Sequence, residues 1–136
     1  MQLTEKPSGT SSDTPKEYCV FEYLYRDASN YKAYGEILLS GVPSESDIEL
    51  LRTYLESGEY FVAEQVGIPA VYNELWDLSG GPNSDDHALH EFVALRKATE
   101  DEKITLSLFG DLPNLLNSFR LVTTWDYSLS PNFDIN

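Results

Sequence analysis

The sequence predicts an α+β domain in which two to three helices pack on one face of an antiparallel or mixed sheet. Three observations lead there. An aromatic, β-branched run is followed at once by a second, as in a hairpin. Amphipathic stretches with capping residues come later, and further strand-like runs alternate with them.

Residues 1–16 hold Thr4, Pro7, Ser8, Gly9, Thr10, Ser11, Ser12, Thr14 and Pro15 and almost nothing to bury. They read as a flexible tail, which leaves residues 17–136 as one domain. The run 18–25 reads as a half-buried strand, residues 26–30 as a turn, and the apolar run from Tyr34 to Leu39 as its antiparallel partner. Gly41 and Pro43 break that strand. Ser44 and Asp47 then stand three apart, the spacing at which a hydroxyl and a carboxylate cap the first free amides of a helix. Ile48, Leu51 and Leu55 follow at helical spacing, and Gly58 offers a left-handed stop.

Residues 60–66 read as a third strand ended by Gly67. Pro69 suits the first turn of a second, short helix with Tyr72, Leu75 and Trp76 on one side, ended by Gly80-Gly81-Pro82. Residues 87–95 read as a strand, because Leu89, Val93 and Leu95 share one parity while His90, Phe92 and Ala94 share the other. Residues 99–109 admit two readings: Thr99 and Glu102 suit a helix cap, whereas 104–108 alternate like a strand. Asp111 caps a last helix with Pro113 in its first turn and Leu112, Leu115, Leu116 and Phe119 on one face. Residues 121–127 read as a closing strand. There is no internal repeat.

A length of 136 residues suits one domain with a real core, and 41% hydrophobic with 24% charged residues is a globular composition. The formal net charge is −14, large for this size. Such a surface repels phosphates and anionic lipid, so direct contact with nucleic acid or membrane is not expected, and a basic protein partner is. The lone Cys19 cannot form an intramolecular disulfide and sits in an apolar run, as a buried thiol does. No apolar run approaches a membrane span and the N-terminus lacks a signal-peptide pattern, so the expected location is the cytoplasm.

The charge is unevenly placed. Between Arg52 and Arg96 there is no lysine or arginine, yet Glu56, Glu59, Glu64, Glu74, Asp77, Asp85, Asp86 and Glu91 all lie there. With Tyr60, Tyr72 and Trp76 interleaved, this stretch offers carboxylates for steering and aromatics for anchoring. Glu56, Glu59, Glu74, Trp76, Asp77, Asp85 and Asp86 are the expected interaction surface. The competing expectation is a solvated acidic face with its aromatics in the core.

A second candidate is residues 85–91, which hold both histidines among carboxylates, the ligand types of zinc or iron. On a strand His87 and His90 point to opposite faces, and His87 lies about 13 Å from Glu91 at 3.3 Å per residue. Only a tight turn brings His87, His90 and Glu91 onto one metal. Metalloprotease motifs place the glutamate between the histidines, which is not the order here. Gly80-Gly81 lacks the lysine and hydroxyl that follow in a phosphate loop, and no nucleophile elbow is present. No catalytic residue and no cofactor are assigned.

The segments Tyr25-Arg26-Asp27, Asn30-Tyr31-Lys32, 61–67 and Asp86-His87-Ala88-Leu89-His90-Glu91-Phe92 together resemble a group of small acidic bacterial proteins. The resemblance covers residues 20–95; the group has no assigned activity and implies no function. Residues 72–80 are similar to the inhibitory helix region of barstar, the acidic ribonuclease inhibitor. The early hairpin departs from barstar's order, so the likeness is local and implies an acidic helix carrying a tryptophan. The expected function is a non-catalytic acidic interaction module, in its sharpest form an inhibitor or immunity-type protein covering a basic surface. Two alternatives stand beside it: a metal-dependent enzyme on His87, His90 and Glu91, and a domain of a larger assembly whose acidity is incidental.

Overall fold

The computed structural model describes residues 17–79 and 86–132. Its first elements form the hairpin, β1 (Tyr18–Arg26) and β2 (Lys32–Ser40), paired antiparallel with Phe21 opposite Ile37. The turn between them is built on Asp27, whose Oδ1 accepts from the amides of Ser29 at 3.0 Å and Tyr31 at 2.9 Å. Asn30 takes the left-handed conformation (φ 71°) that a short polar side chain tolerates best.

Helix α1 (Glu45–Tyr54) begins where its cap lies: Asp47 N donates to Ser44 Oγ at 3.1 Å and Ser44 N to Asp47 Oδ2 at 2.9 Å. It ends at Leu55, and Gly58 is left-handed (φ 75°) in the turn that follows. Then come β3 (Tyr60–Phe61), α2 (Ala63–Val66), α3 (Asn73–Ser79) and β4 (His90–Lys97). Helix α4 (Glu100–Thr105), β5 (Leu108–Asp111), α5 (Leu112–Arg120) and a 3-10 turn (Tyr127–Leu129) complete the described chain.

The five strands lie in the order β3-β4-β1-β2-β5. Every pairing is antiparallel except β2 with β5, which makes the sheet mixed and the class α+β. One face carries Cys19, Phe21, Tyr23, Ile37, Leu39 and Leu95 into the main core, where Leu51 of α1 and Leu112, Leu115 and Phe119 of α5 meet them. Phe21 is the hub, with its ring 5.8 Å from Phe61 and 5.9 Å from Phe119. On the reverse face Val20, Leu38 and Ala98 pack beneath Tyr18 and Leu106, so α4 lies opposite the other helices. Beside them Arg96 gathers three carboxylates: Glu102 at 2.7 Å, Glu22 at 3.2 Å and Glu36 at 3.5 Å. Among the described residues no helix is long and apolar enough to cross a membrane.

Four expectations are corrected. The third strand is only two residues long: the chain turns after Phe61 into α2, which left-handed Gly67 (φ 76°) ends. The second short helix starts at Asn73, so Pro69 precedes it rather than opening it. The strand over 87–95 begins at His90, since His87 is held out of the ladder by side-chain bonds. Residues 121–127 form no strand. Their polar groups are met by side chains: Gln65 Nε2 donates to Thr124 O at 3.0 Å, Asp126 N to Gln65 Oε1 at 2.7 Å, and Trp125 Nε1 to Tyr54 O at 3.2 Å. Of the two readings of 99–109 the capped helix holds, whereas 104–107 form no strand and the next strand starts only at Leu108. The expected tail at 1–16 and the stop at Gly80-Gly81-Pro82 lie outside the described residues.

Candidate functional site

Two places merit the name of a site: the acidic stretch, and a buried polar cluster at the end of the sheet where β1 and β4 meet α3. The cluster is set by β1. Tyr25 is buried at the end of that strand, and its hydroxyl donates to Asp86 Oδ1 at 2.6 Å while accepting from His87 N at 3.1 Å. Burial first, and the bond to Asp86 second, push the Tyr25 phenol far above its ordinary value, so it remains a donor.

The histidines are both spent on the main chain. Leu89 N donates to His87 Nδ1 at 3.1 Å, which leaves the ring proton on Nε2, facing Arg26 O at 2.6 Å. His90 is fully buried, and its Nε2 accepts from Val71 N at 3.1 Å. Burial, with the neighbouring His87 adding to it, pushes His90 down to about 3. It is a neutral structural imidazole. Glu91 is held elsewhere by Arg26, at 2.9 Å. The alternative in which these three side chains share a metal finds no support in their geometry, since each has a different commitment. Among the described residues, no group of three or more His, Cys, Asp or Glu side chains is placed to hold a metal ion.

Around Tyr25 and His90 the cluster widens. The Tyr72 ring lies 5.5 Å from Tyr25, 5.6 Å from His90 and 4.6 Å from Trp76. Its hydroxyl donates to Glu64 Oε2, and burial followed by that bond holds the Tyr72 phenol well above its usual range. Asn132 donates through Nδ2 to His87 O at 2.9 Å. Sequence reasoning found the histidines but missed Tyr25 and Asn132 as their neighbours. Tyr25 and Asp86 are 61 positions apart, and no periodicity links residues at that distance.

The acidic stretch is sorted by the fold. Asp86 is buried, not a surface carboxylate, which corrects its place in the expected interaction surface. Tyr72 is core rather than an exposed anchor, and Trp76 is half-buried against it. Asp85 and the Asp77 side chain lie outside what the structure describes. Glu56 is half-buried and accepts from the Tyr127 hydroxyl. Glu59 and Glu74 are exposed. Arg52, the nearest cation in sequence, stands 4.9 Å over the Phe92 ring and donates to Gly58 O, so it neutralises neither.

Comparison with family models, with curated proteins and with solved structures finds no match to this chain.

Proposed function

We propose that this chain is a non-catalytic protein-interaction module whose acidic side recognises a basic surface of a partner protein, in the manner of an inhibitor or immunity-type protein. One observation carries the reading. Of the carboxylates of Glu56, Glu59, Glu64, Glu74 and Glu91, only that of Glu91 has a cation partner. Glu59 and Glu74 stand in solvent, and Glu56 meets only a tyrosine hydroxyl. A folded domain with a surplus of acids usually tethers some of them with local lysines or arginines, as Arg96 does on the reverse face. Here that compensation is left to a partner.

The mechanism is electrostatic. Carboxylates on this side stand where phosphates stand on a nucleic acid, and they raise the rate of encounter with a cationic surface more than the final affinity. Trp76, half-buried at the border of the same region, supplies apolar contact area. The histidines contribute no acid–base step in this reading, because their ring nitrogens are turned to the main chain or buried.

Cross-linking the chain to its neighbours in its own cells tests the proposal, with wild type set against Glu59→Gln/Glu74→Gln. Recovery of a protein with a basic surface by the wild type, lost in the variant, supports it. Equal recovery by both removes the acidic side from the account.

A further inference from the structure

Helices α1 and α5 run side by side in the same direction. Strands β2 and β5 are parallel, with Ser40 facing Asp111, and each leads into its helix at that end of the sheet. A Cβ on Gly41 would touch Leu112, which puts the two helix starts together. At the far ends Trp125, just past α5, donates to Tyr54 O of α1. Between the helices lies an open groove of about 220 Å³, lined from α1 by Asp47, Leu50 and Tyr54 and from α5 by Pro113, Leu116 and Arg120. Leu50 is 53% exposed, Pro113 is exposed, and Tyr54 and Leu116 are only half-buried. Each of the two sets spans about 10 Å, at 1.5 Å of rise per residue.

The ends of the groove carry opposite charges. Asp47 stands on α1 at the end where the helices start, and its Oδ2 accepts from Ser44 N at 2.9 Å. Arg120 stands on α5 at the opposite end and donates only to Asn117 Oδ1. Among the described residues neither forms an ion pair. Acid and base therefore lie on a diagonal, with apolar side chains between them. A half-turn about an axis perpendicular to the floor of the groove exchanges α1 with α5 and start with end. It brings Asp47 over Arg120, Leu50 over Leu116 and Tyr54 over Pro113, each twice. Such self-complementarity is what a closed two-fold interface requires. The same half-turn sets the helices of one copy antiparallel to those of the other, the favourable sense for their dipoles.

We propose that this groove is the contact between two copies of the chain, related by a two-fold axis, with α1 of each copy lying on α5 of the other. Charge complementarity and the apolar middle name a second copy as its occupant. The acidic side plays no part in the contact, and neither proposal needs the other. Two chains of net charge −14 repel at a distance, and salt screens that repulsion beyond about 8 Å at physiological ionic strength. Self-association therefore strengthens from low to physiological salt, whereas binding at the acidic side weakens.

Sedimentation equilibrium of the full chain at physiological ionic strength tests the proposal. The wild type should approach twice the mass of one chain as its concentration rises. Arg120→Glu sets two carboxylates against each other at both ends of the contact, and Asp47→Lys does the same with two cations. Each should weaken the dimer about tenfold. Mixed in equal amounts, the two variants should form a heterodimer as tight as the wild type, because every contact again joins opposite charges. A variant impaired only by misfolding is not rescued in this way. Leu50→Asp changes an exposed side chain and leaves the Asp47 cap in place; it should abolish the dimer with an unchanged circular dichroism spectrum. Dimerisation that survives Arg120→Glu or Leu50→Asp, a mixture that stays monomeric, or an assembly larger than two copies overturns the proposal. A wild type that remains monomeric up to about 1 mM also overturns it and leaves the groove to a different partner.

Discussion

His90 ties the stability of the fold to pH. In the folded chain it stays neutral down to about 3, whereas its ordinary value is 6.5. A depressed basic group works against folding in acid: its contribution is intact above 6.5 and is lost as pH falls from there toward 3. Over that window one such group costs about 1.4 kcal/mol per pH unit, because the unfolded chain takes up a proton the native state refuses. Glu102, held at about 2 mainly by its hydrogen bond to Arg96, adds a second loss, but only below the ordinary carboxylate value of 4.5. Urea melts between about pH 6.5 and pH 5 therefore isolate the histidine. His90→Gln should lower stability at neutral pH and flatten that slope by one proton; an unchanged slope assigns the effect to another group. Gly35 gives a second residue-scale prediction. A Cβ there meets Tyr23 Cζ at 2.4 Å, and Tyr23 is pinned both by the core and by its hydroxyl bond to Pro69 O at 2.7 Å. Gly35→Ala should therefore cost about 1–3 kcal/mol in thermal or denaturant melts. Neither contact is legible in the sequence, because each joins strands or loops through pairings that only the folded sheet creates.

Elements whose cause is local were legible, and those whose cause is tertiary were not. Both capping boxes, Ser44 with Asp47 and Thr99 with Glu102, complete themselves within three residues, so spacing alone reveals them. The Asp111 cap and Pro113 do the same for α5. Ser44→Ala should lower stability by about 1 kcal/mol with the fold unchanged, as the loss of a single cap does. By contrast, 60–66 looked like a strand because its residues are apolar and β-branched, yet the chain leaves the sheet after Phe61 and turns into α2 at Ala63. Residues 121–127 looked like a strand for the same reason. They instead cross over α1 and α2 as a strap, fastened by Gln65 and by Trp125. Trp125→Phe removes the bond to Tyr54 O and should cost about 1 kcal/mol. Hydrogen exchange should then quicken at Ser130 and Asn132 before it does in β1. Uniform loss of protection contradicts a strap of independent stability.

For the whole molecule, the α+β class and the mixed sheet follow from the early hairpin and the alternation of later runs, whereas the side on which each helix lies does not. Helix α4 went to the reverse face because Leu106 and Ala98 complete a small apolar patch with Val20 and Leu38. Charge was legible as an amount and as a stretch of sequence, but not as a surface. Of the seven residues expected to form that surface, Asp86 turned inward to meet Tyr25, a contact no charge count reveals. What the described residues leave of it is the half-buried Glu56 and the exposed Glu59 and Glu74. Amide shifts of the 15N-labelled chain, recorded while a lysine oligomer is added at low and then at high salt, test the central claim most directly. The account predicts shifts gathered at Glu56, Glu59 and Glu74, weakened by Glu59→Gln/Glu74→Gln and abolished by salt, since exposed charges are screened within about 8 Å at physiological ionic strength. Shifts spread evenly over the domain, or centred on Glu22, Glu36 and Glu102 of the reverse face, would contradict it.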